Sequence, residues 1–274
     1  MYLLVRTFLK SQQEPRLMAH YANDQSMIDA YKNKKDLYAT IAAQVYNNNY
    51  WDNMEHYEDG TPNPEGKKRR SNCKSIALGL LYGRGTTSVA EQIGSTFEEA
   101  QQLIDKFFAG FPAVSTWIEE TQKNAYKNGY VEDVMGRRRR LPDLQLPKYT
   151  AEDEEGEVEF NPLLFSSGIN YDKKQKESSK YIKRLEEATT FKQRSAIKAE
   201  AASQGIKIYD NTGFISKAER QCVNARVQGG AATITKLAMI AVSKDSVLKN
   251  LKFDLLLCIH DELIGECPRE NAEQ

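Results

Sequence analysis

Apolar positions recur at helical spacing along most of this chain and at strand-like spacing only near its two ends. Residues 2–9 form a short apolar run that predicts a strand. Residues 26–46 carry apolar side chains at an approximate period of 3.6, which predicts a helix. Residues 253–259 and 262–267 are two strand-like runs joined by two polar residues, which predicts a hairpin. The pattern therefore indicates a mainly helical chain with a small sheet.

Polar and charged stretches separate the helical segments. Residues 47–66 are rich in Asn, Asp, Gly and Pro, which predicts a loop. An acidic amphipathic helix is predicted after Gly85, with Ser88 or Ser95 as its N-terminal cap. Residues 174–204 are strongly charged and predict a helix with a thin apolar stripe. That stripe consists of Tyr181, Ile182, Leu185, Ala188, Phe191 and Ile197.

Composition and charge limit the classes of function. The 274 residues are 40% hydrophobic and 28% charged, which is typical of a globular chain. Lys and Arg number 38, and so do Asp and Glu, so a nucleic-acid role must rest on the segregation of charge. The four cysteines form no C-x-x-C pair, which favours ordinary packing over a zinc site. No apolar run is long enough to cross a bilayer, so we expect no membrane partner.

The segment 69–85 carries the clearest pattern of candidate binding residues. As a helix it places Arg70, Lys74, Leu78 and Tyr82 on one face, because these positions are four residues apart. The face begins with two cations suited to phosphate and ends with an aromatic ring able to stack on a base. The same order of parts occurs in a nucleoside triphosphate. The plainer alternative is an amphipathic helix whose basic residues simply face water.

Two further segments carry groups suited to nucleic acid. Four consecutive arginines, 137–140, follow Gly136 and would meet phosphates if a duplex passed nearby. Arg220, Asn224 and Gln228 are spaced by four and would form one ridge of hydrogen-bonding side chains on a helix. Such a ridge can read minor-groove acceptors shared by all base pairs. The plainer alternative for both segments is a solvated surface.

These segments, in this order, resemble the motifs of the family A DNA polymerases, the polymerase I-like class. The run from Arg69 to Gly83 resembles motif B, the fingers helix of that family. The resemblance implies that Arg70 and Lys74 bind the triphosphate, that Lys74 also neutralises the leaving pyrophosphate, and that Tyr82 stacks near the templating position. Leu78 stands where many members carry Phe or Tyr.

The segment around Ser11 resembles motif A, with matching residues that include Gln12 and Glu14. The resemblance implies nucleotide contacts for both, with Glu14 excluding a 2′-hydroxyl group. The motif's metal-binding Asp falls on Leu9, which has no oxygen to offer a metal ion. We therefore expect a degenerate motif A.

The remaining motifs imply DNA and metal contacts. The ridge of Arg220, Asn224 and Gln228 resembles the palm helix that contacts the primer end, and Arg137 and Arg138 lie in the family's arginine-rich segment. The hairpin resembles motif C. It implies Asp261 as a metal ligand and catalytic residue, with Glu262 also catalytic and His260 near the primer terminus. Two Mg²⁺ ions are expected for the family.

The resemblance implies an α+β fold, a small antiparallel palm sheet with a large helical fingers insertion. We expect a partial palm at 1–46, fingers at 47–218 with a charged insertion at 144–216, and palm again at 219–274. The expected function is template-directed DNA polymerisation in replication, by nucleotidyl transfer from a deoxynucleoside triphosphate (dNTP) to a primer 3′-hydroxyl. The alternative is a catalytically inactive remnant that only binds nucleotide or primer-template DNA. An unrelated helical nucleic-acid-binding module would require every motif match to be accidental.

The same resemblance sets the expected partners and location. Primer-template DNA and dNTPs are the expected ligands. A further polypeptide segment would supply the thumb and the remaining palm, because the chain matches neither. We expect a fragment of bacteriophage type that acts in the cytoplasm of a bacterial cell infected by, or carrying, a phage.

Overall fold

The computed structural model describes residues 2–8, 12–152, 158–159, 172–173, 180–259 and 262–273, and its fold is α+β with helices predominating. The helices are α1 (Gln13–Ala22), α2 (Gln25–Lys32), α3 (Leu37–Tyr46), α4 (Pro64–Leu81), α5 (Thr86–Ile93), α6 (Phe97–Gly110), α7 (Pro112–Asn128), α8 (Lys180–Glu187), α9 (Phe191–Ser203), α10 (Thr212–Lys244) and α11 (Ser246–Asn250). The strands are β1 (Tyr2–Phe8), β2 (Tyr130–Glu132), β3 (Arg138–Arg140), β4 (Tyr149–Glu152), β5 (Val158–Glu159), β6 (Asp172–Lys173), β7 (Lys207–Asp210), β8 (Asp254–Ile259) and β9 (Glu262–Pro268).

Strands from the two ends of the chain meet in one three-stranded antiparallel sheet. The order of its strands is β1-β9-β8. The register pairs Glu262 of β9 with both Phe8 of β1 and Ile259 of β8. The three runs predicted to be strands are therefore confirmed. His260 and Asp261, which connect β8 and β9 in the sequence, lie outside the described residues.

The chain divides into two compact units. The first unit comprises Met1–Glu120, Glu132–Arg137 and Val223–Gln274, and the second comprises Thr121–Val131 and Arg138–Cys222. The two units are defined by how densely their residues contact one another and not by function. The boundaries of the palm and fingers therefore stay a prediction. No helix in the described part of the chain has the length and apolar content needed to cross a membrane.

The core of the first unit is built from the apolar faces of α1 to α7 and one face of α10. Its residues with the least exposed surface include Met18, Met27, Leu37, Ile41, Cys73, Ile76, Val89, Phe107, Phe111, Val114 and Val227. Helices α10 and α1 approach closely at Gly230, where a side-chain Cβ atom would lie 3.1 Å from Leu17 Cδ1. This packing brings the start of α1 close to the part of α10 that carries Asn224 and Gln228, within one unit.

The second unit has a separate, smaller core. Strand β4 pairs with β7, and α8 and α9 pack beside them. The buried residues are Tyr149, Tyr181, Leu185, Ile197 and Ala201. The apolar stripe predicted for 174–204 is thus confirmed in part. Phe191 is a correction: as the first residue of α9 it is 83% exposed, because it lies beyond the face that meets this core.

Three segments that were each predicted as one helix are divided in the structure, and one of them, 174–204, contains α8 and α9 within its described residues. The single helix predicted over 26–46 is two helices, because Asp36 caps α3 by accepting the Ala39 N–H at 2.8 Å and the chain turns before it. The helix predicted after Gly85 is also two, and neither Ser88 nor Ser95 caps it. Thr96 caps α6 instead, in a reciprocal capping box.

Candidate functional site

Helix α4 carries the predicted nucleotide face, and local interactions fix both of its ends. The Asn63 side chain accepts the Gly66 N–H at 2.9 Å, and Pro64 occupies the first turn. The helix ends at Leu81, just before Gly83, whose φ of +65° carries little steric cost for glycine. The predicted helix is confirmed, and it begins inside the segment that was predicted to be a loop.

A cleft of about 590 Å³ lies beside the aromatic end of α4, within the first unit. It brings together five of the residues predicted from the sequence: Gln12, Glu14, Leu78, Tyr82 and Gln228. The other lining residues were not predicted: Gln13, Pro15, Tyr38, Ala231, Ala232, Thr235, Lys236, Met239 and Cys258. The cleft therefore joins the starts of α1 and α3, the end of α4, one face of α10 and strand β8.

A short hydrogen bond crosses the cleft. The Tyr82 hydroxyl donates to Glu14 Oε2 at 2.5 Å. Burial raises the pKa of Tyr82 to about 12, the Glu14 carboxylate adds to the rise, and a hydrogen bond with Gln228 acts in the opposite direction. Tyr82 therefore stays a neutral donor near pH 7. The bond fixes the Glu14 carboxylate against the aromatic end of α4.

Gln12 is held at the start of α1 in an uncommon backbone conformation. Its φ of +62° lies in the left-handed region, and its side chain makes no hydrogen bond to the end of the helix. Instead its Oε1 accepts a hydrogen bond from the Tyr31 hydroxyl at 3.1 Å. The Arg16 guanidinium lies over the Tyr31 ring at 4.0 Å. These contacts orient Gln12 at the edge of the cleft.

Arg70, the first cation of the predicted face, is paired with carboxylates. Its Nε and Nη2 donate to the two oxygens of Asp36 at 3.0 and 2.8 Å, a bidentate pair. Its Nη1 lies 3.5 Å from Glu55. The hydrogen bond with Asp36 raises the pKa of Arg70. The sequence did not predict this pairing, which leaves Arg70 partly neutralised.

Lys74, one turn further along α4, is exposed. Within the described residues it has no recorded ion pair, and its Nζ lies 6.0 Å from the centre of the Tyr38 ring. Arg70 lies 5.8 Å from the same ring. Tyr38 is buried, and burial raises its pKa. A neutral aromatic ring therefore lies close to both cations of the predicted face.

The predicted ridge of three polar residues lies on α10. Gln228 is exposed and lines the cleft, whereas Asn224 is half-buried in the same unit. Asn224 Oδ1 is buried and has no hydrogen-bond partner among the described residues. Arg220 is exposed and belongs to the second unit. The structure thus brings Gln228 to the cleft and leaves Asn224 with an unused acceptor.

The arginine-rich segment is organised around Asp133. This side chain accepts hydrogen bonds from the Thr233 hydroxyl at 2.7 Å and from the Arg137 N–H at 3.0 Å. Burial acts to raise the pKa of Asp133, but its hydrogen bonds outweigh burial and hold the pKa below the ordinary value. Arg137 and Arg138 are both exposed, and the Arg138 guanidinium lies 4.5 Å from the Tyr130 ring. Neither arginine lines the cleft.

The predicted metal site is only partly described. Asp261, His260 and Leu9 lie outside the described residues. Glu262 begins β9 and is half-buried, and Cys258 of the paired strand lines the cleft. In the part of the chain that the structure describes, no three His, Cys, Asp or Glu side chains lie close enough together to hold a metal ion.

Some of the missed lining residues left a signal in the sequence. Gln228, Ala232, Thr235 and Met239 are three or four residues apart, so the polar ridge could have been extended along α10. Asp36 precedes an apolar helical run, as an N-terminal cap does. No such signal marks the pairing of Asp36 with Arg70, because the two residues are 34 positions apart.

Comparison with curated proteins finds bacterial relatives over most of the chain. DNA polymerase I of Pseudomonas aeruginosa is 29% identical over 267 residues, which are 96% of this chain and 21% of that protein. DNA polymerase I of Lactococcus lactis subsp. lactis is 27% identical over 96% of this chain and 22% of its own length. The thermostable enzyme of Thermus aquaticus is also 27% identical. The chain thus spans about a fifth of the length of these relatives.

Comparison with solved structures agrees with the sequence relatives. The POL domain of Pol1 from M. smegmatis, solved in complex with DNA primer-template and dNTP, aligns with a TM-score of 0.62 and 25% identity. The alignment covers 98% of this chain and 34% of that one. The model of the DNA polymerase family A matches residues 10–168 and 169–274. The chain therefore belongs to DNA polymerase family A.

Proposed function

We propose that this chain is the nucleotide-binding part of a template-directed DNA polymerase that acts in DNA replication. The reaction is attack of a primer 3′-hydroxyl on the α-phosphate of a dNTP, with pyrophosphate as the leaving group. Membership of the family and the DNA polymerase I relatives support the proposal. The chain matches only a fifth of those relatives, so activity is proposed for the complete polymerase domain.

The observation that carries the proposal is the cleft at the end of α4. Glu14, Leu78 and Tyr82 converge there, and Tyr82 is bonded to Glu14. The aromatic ring offers a face on which a base can stack. Glu14 would stand below the sugar, where its carboxylate excludes a 2′-hydroxyl group. Gln12, at the start of α1, is assigned a further contact with the nucleotide.

The phosphate groups are assigned to the basic part of α4. Lys74 is the exposed cation of the face, and we propose that it binds the triphosphate and neutralises the charge on the departing pyrophosphate. Arg70 is assigned to the same triphosphate, with its guanidinium held by Asp36. The order of cations and then Leu78 and Tyr82 along α4 matches the order of phosphates, sugar and base.

DNA contacts are assigned to three places. Arg220, Asn224 and Gln228 are proposed to read the minor groove at the primer end, where Arg, Asn and Gln side chains can donate to acceptors common to all base pairs. The exposed Arg137 and Arg138 are proposed to bind backbone phosphates, and His260 to lie near the primer terminus.

A pair of Mg²⁺ ions is proposed from the family. Such ions stabilise the charge that develops on the attacking and leaving oxygens. Asp261 is the proposed ligand, with Glu262 beside it. The residues of this sequence supply only part of a site for two metal ions. Leu9 stands at the place of the second carboxylate, and its side chain has no oxygen atom. We therefore propose that motif A is degenerate.

Leu9 also favours a second candidate function. A polymerase that lacks one metal ligand can keep its nucleotide and DNA contacts while losing chemistry, because those contacts come from other residues. The chain would then be a non-catalytic remnant that binds nucleotide or primer-template DNA. The cleft and the exposed Lys74 serve either function equally.

Primer extension separates the two candidates. The purified chain and its Leu9→Asp variant are incubated with a labelled primer-template, Mg²⁺ and dNTPs. Extension by the unmodified chain supports the polymerase and means that another group binds the metal. Extension by the variant alone supports a polymerase disabled at one ligand. If neither chain extends the primer, and neither binds a dNTP or the primer-template, both candidate functions are wrong for this chain.

The ligands, the partner, the origin and the location of the protein are also proposed from the family. Primer-template DNA and dNTPs are the proposed ligands, and a further polypeptide segment with the thumb and the remaining palm is the proposed partner. We also propose a bacteriophage origin and the cytoplasm of a bacterial host as the location. Recovery of the chain with a second polymerase segment from such a host would support this setting, and recovery from another compartment would contradict it.

A further inference from the structure

The basic end of α4 already holds an anion from its own chain. The Glu55 carboxylate lies between two cations, with Oε1 3.5 Å from Arg70 Nη1 and Oε2 3.5 Å from Lys67 Nζ. A phosphate group would be expected to make the same kind of contact, with different oxygens facing different cations. The position that a terminal phosphate would take beside Arg70 is therefore occupied by a carboxylate.

The two carboxylates beside Arg70 are held differently. Asp36 is fixed, because it forms the bidentate pair with Arg70 and also accepts the Ala39 N–H at the start of α3. The side chain of Asp36 is 17% exposed, whereas that of Glu55 is 41% exposed. The backbone of Glu55 is anchored, since its carbonyl oxygen accepts the Asn63 N–H at 2.9 Å. Its side chain alone is free to swing aside.

The geometry of the guanidinium makes the two anions compete. Asp36 takes the edge of Arg70 formed by Nε and Nη2. A phosphate group that binds Arg70 in bidentate fashion must then use the other edge, formed by Nη1 and the second N–H of Nη2, and Nη1 is the atom that Glu55 contacts. A phosphate bound to Arg70 and the Glu55 carboxylate would also repel each other, because both are negatively charged.

We propose that Glu55 is an internal competitor for the triphosphate, and that it sets how tightly the phosphate end of the site binds. The terminal phosphate displaces the Glu55 side chain from Arg70, while Asp36 stays and holds the plane of the guanidinium. Glu55 is thus an affinity-determining residue of the site assigned under the proposed function, on which this inference rests. An ordinary surface ion pair would have no effect on nucleotide affinity.

The test is the dissociation constant of dATP for the full chain, measured with a fluorescent dATP analogue as the probe and unlabelled dATP and dAMP as competitors. Glu55→Gln keeps the shape of the side chain and removes its charge. We expect it to tighten dATP binding about two- to five-fold, the range of an exposed charge pair. We expect little change for dAMP, which lacks the terminal phosphates. Glu55→Asp, which keeps the charge, should resemble the unmodified chain more closely.

The matched control is Glu58→Gln, which removes the same charge from an exposed residue three positions away. It should leave dATP affinity unchanged. The gain from Glu55→Gln should also shrink at about 1 M salt, where the screening length falls to about 3 Å. Equal affinity of the Glu55→Gln and Glu58→Gln variants, or weaker binding by Glu55→Gln, overturns the proposal.

Lys74→Ala separates this proposal from the proposed function. If the unmodified chain binds dATP and Lys74→Ala does not, the nucleotide site stands, and the Glu55 variants then decide the present proposal alone. If no variant binds dATP or inorganic tripolyphosphate, the nucleotide site and the competing role of Glu55 are both wrong.

Discussion

Glu14 is the residue proposed to exclude a 2′-hydroxyl group, and Tyr82 is its hydrogen-bond partner. They are hydrogen-bonded to each other within the cleft, so the carboxylate has a fixed place. We predict that Glu14→Ala lowers the preference for dATP over ATP about tenfold, because the group that excludes the 2′-hydroxyl is removed. Competition of dATP and ATP for the same fluorescent nucleotide measures this ratio.

Tyr82→Phe is the control for that prediction. It removes the hydroxyl donor and keeps both the ring and the Glu14 carboxylate. It should therefore retain most of the preference for dATP. An unchanged preference in Glu14→Ala would mean that the carboxylate does not face the sugar.

Cys73 gives the first unit a specific response to alkaline pH. It has no exposed surface, and burial raises the pKa of its thiol from 9.0 to about 12. The thiol thus stays neutral in the folded chain at pH values where it ionises in the unfolded chain. Its contribution to the free energy of unfolding is complete below about pH 9 and is lost as the pH rises towards 12.

We predict that the free energy of unfolding falls more steeply above pH 9 in the unmodified chain than in Cys73→Ala. Guanidinium unfolding at pH 8, 9, 10 and 11 measures the slope for each chain. Only the difference in slope is tested, because the substitution itself changes core packing. Parallel pH profiles would show that Cys73 does not carry this effect.

Asp36 joins two elements, since it caps α3 and also pairs with Arg70 of α4. Asparagine is as good a helix cap as aspartate but cannot form the ion pair. We predict that Asp36→Asn lowers the free energy of unfolding by about 1 kcal/mol, a modest value because the pair is only partly buried.

Asp24→Asn is the matched control. Asp24 caps α2 by accepting the Met27 N–H at 3.0 Å and has no recorded ion pair in the described part of the chain. Asp24→Asn should therefore lower the free energy of unfolding by less than Asp36→Asn does. Chemical unfolding of both variants measures the difference. Equal costs would indicate that the pair with Arg70 adds nothing to stability.

The start of α6 offers a second test of how a cap stabilises a helix. Thr96 and Glu99 form a capping box, and the neighbouring Ser95 does not cap the helix. We predict that Thr96→Ala costs about 1 kcal/mol of stability and that Ser95→Ala costs much less. Thermal unfolding of the two variants side by side checks this. A larger cost at Ser95 would mean that the helix begins one residue earlier.

The helices show how far local sequence determines local structure. The spacing of four residues predicted a helical face in α4 and a helical ridge in α10, because such spacing depends only on neighbouring residues. The break before α3 was missed although Asp36 carries the signal of an N-terminal cap, because Lys34 adopts a positive φ of +56° that lysine, unlike glycine, does not predict. The pairing of Arg70 with Asp36 was missed for a different reason: it depends on tertiary packing.

For the molecule as a whole, the motifs predicted a small antiparallel sheet and five of the residues that line the cleft. Strands β1 and β9 are separated by more than 250 residues, so periodicity could not predict their pairing, and the family resemblance implied only a small antiparallel sheet. The division into two units was not predicted, because compactness depends on contacts that one sequence does not reveal. Five predicted residues meet in the cleft. The contacts of Asp36 and Glu55 with Arg70, and the place of Tyr38 in the cleft, were seen only in the structure.

We propose above that the cleft binds a nucleotide chosen by a template base, and nucleotide binding can be measured without the chemical step. The full chain is mixed with a primer-template whose primer ends in a dideoxynucleotide, and the affinity of each of the four dNTPs is measured. We expect the complementary dNTP to bind at least about tenfold more tightly than the other three, and Lys74→Ala to weaken its binding. Equal affinity for all four, or no binding by the unmodified chain, would mean that the cleft is not a template-directed nucleotide site.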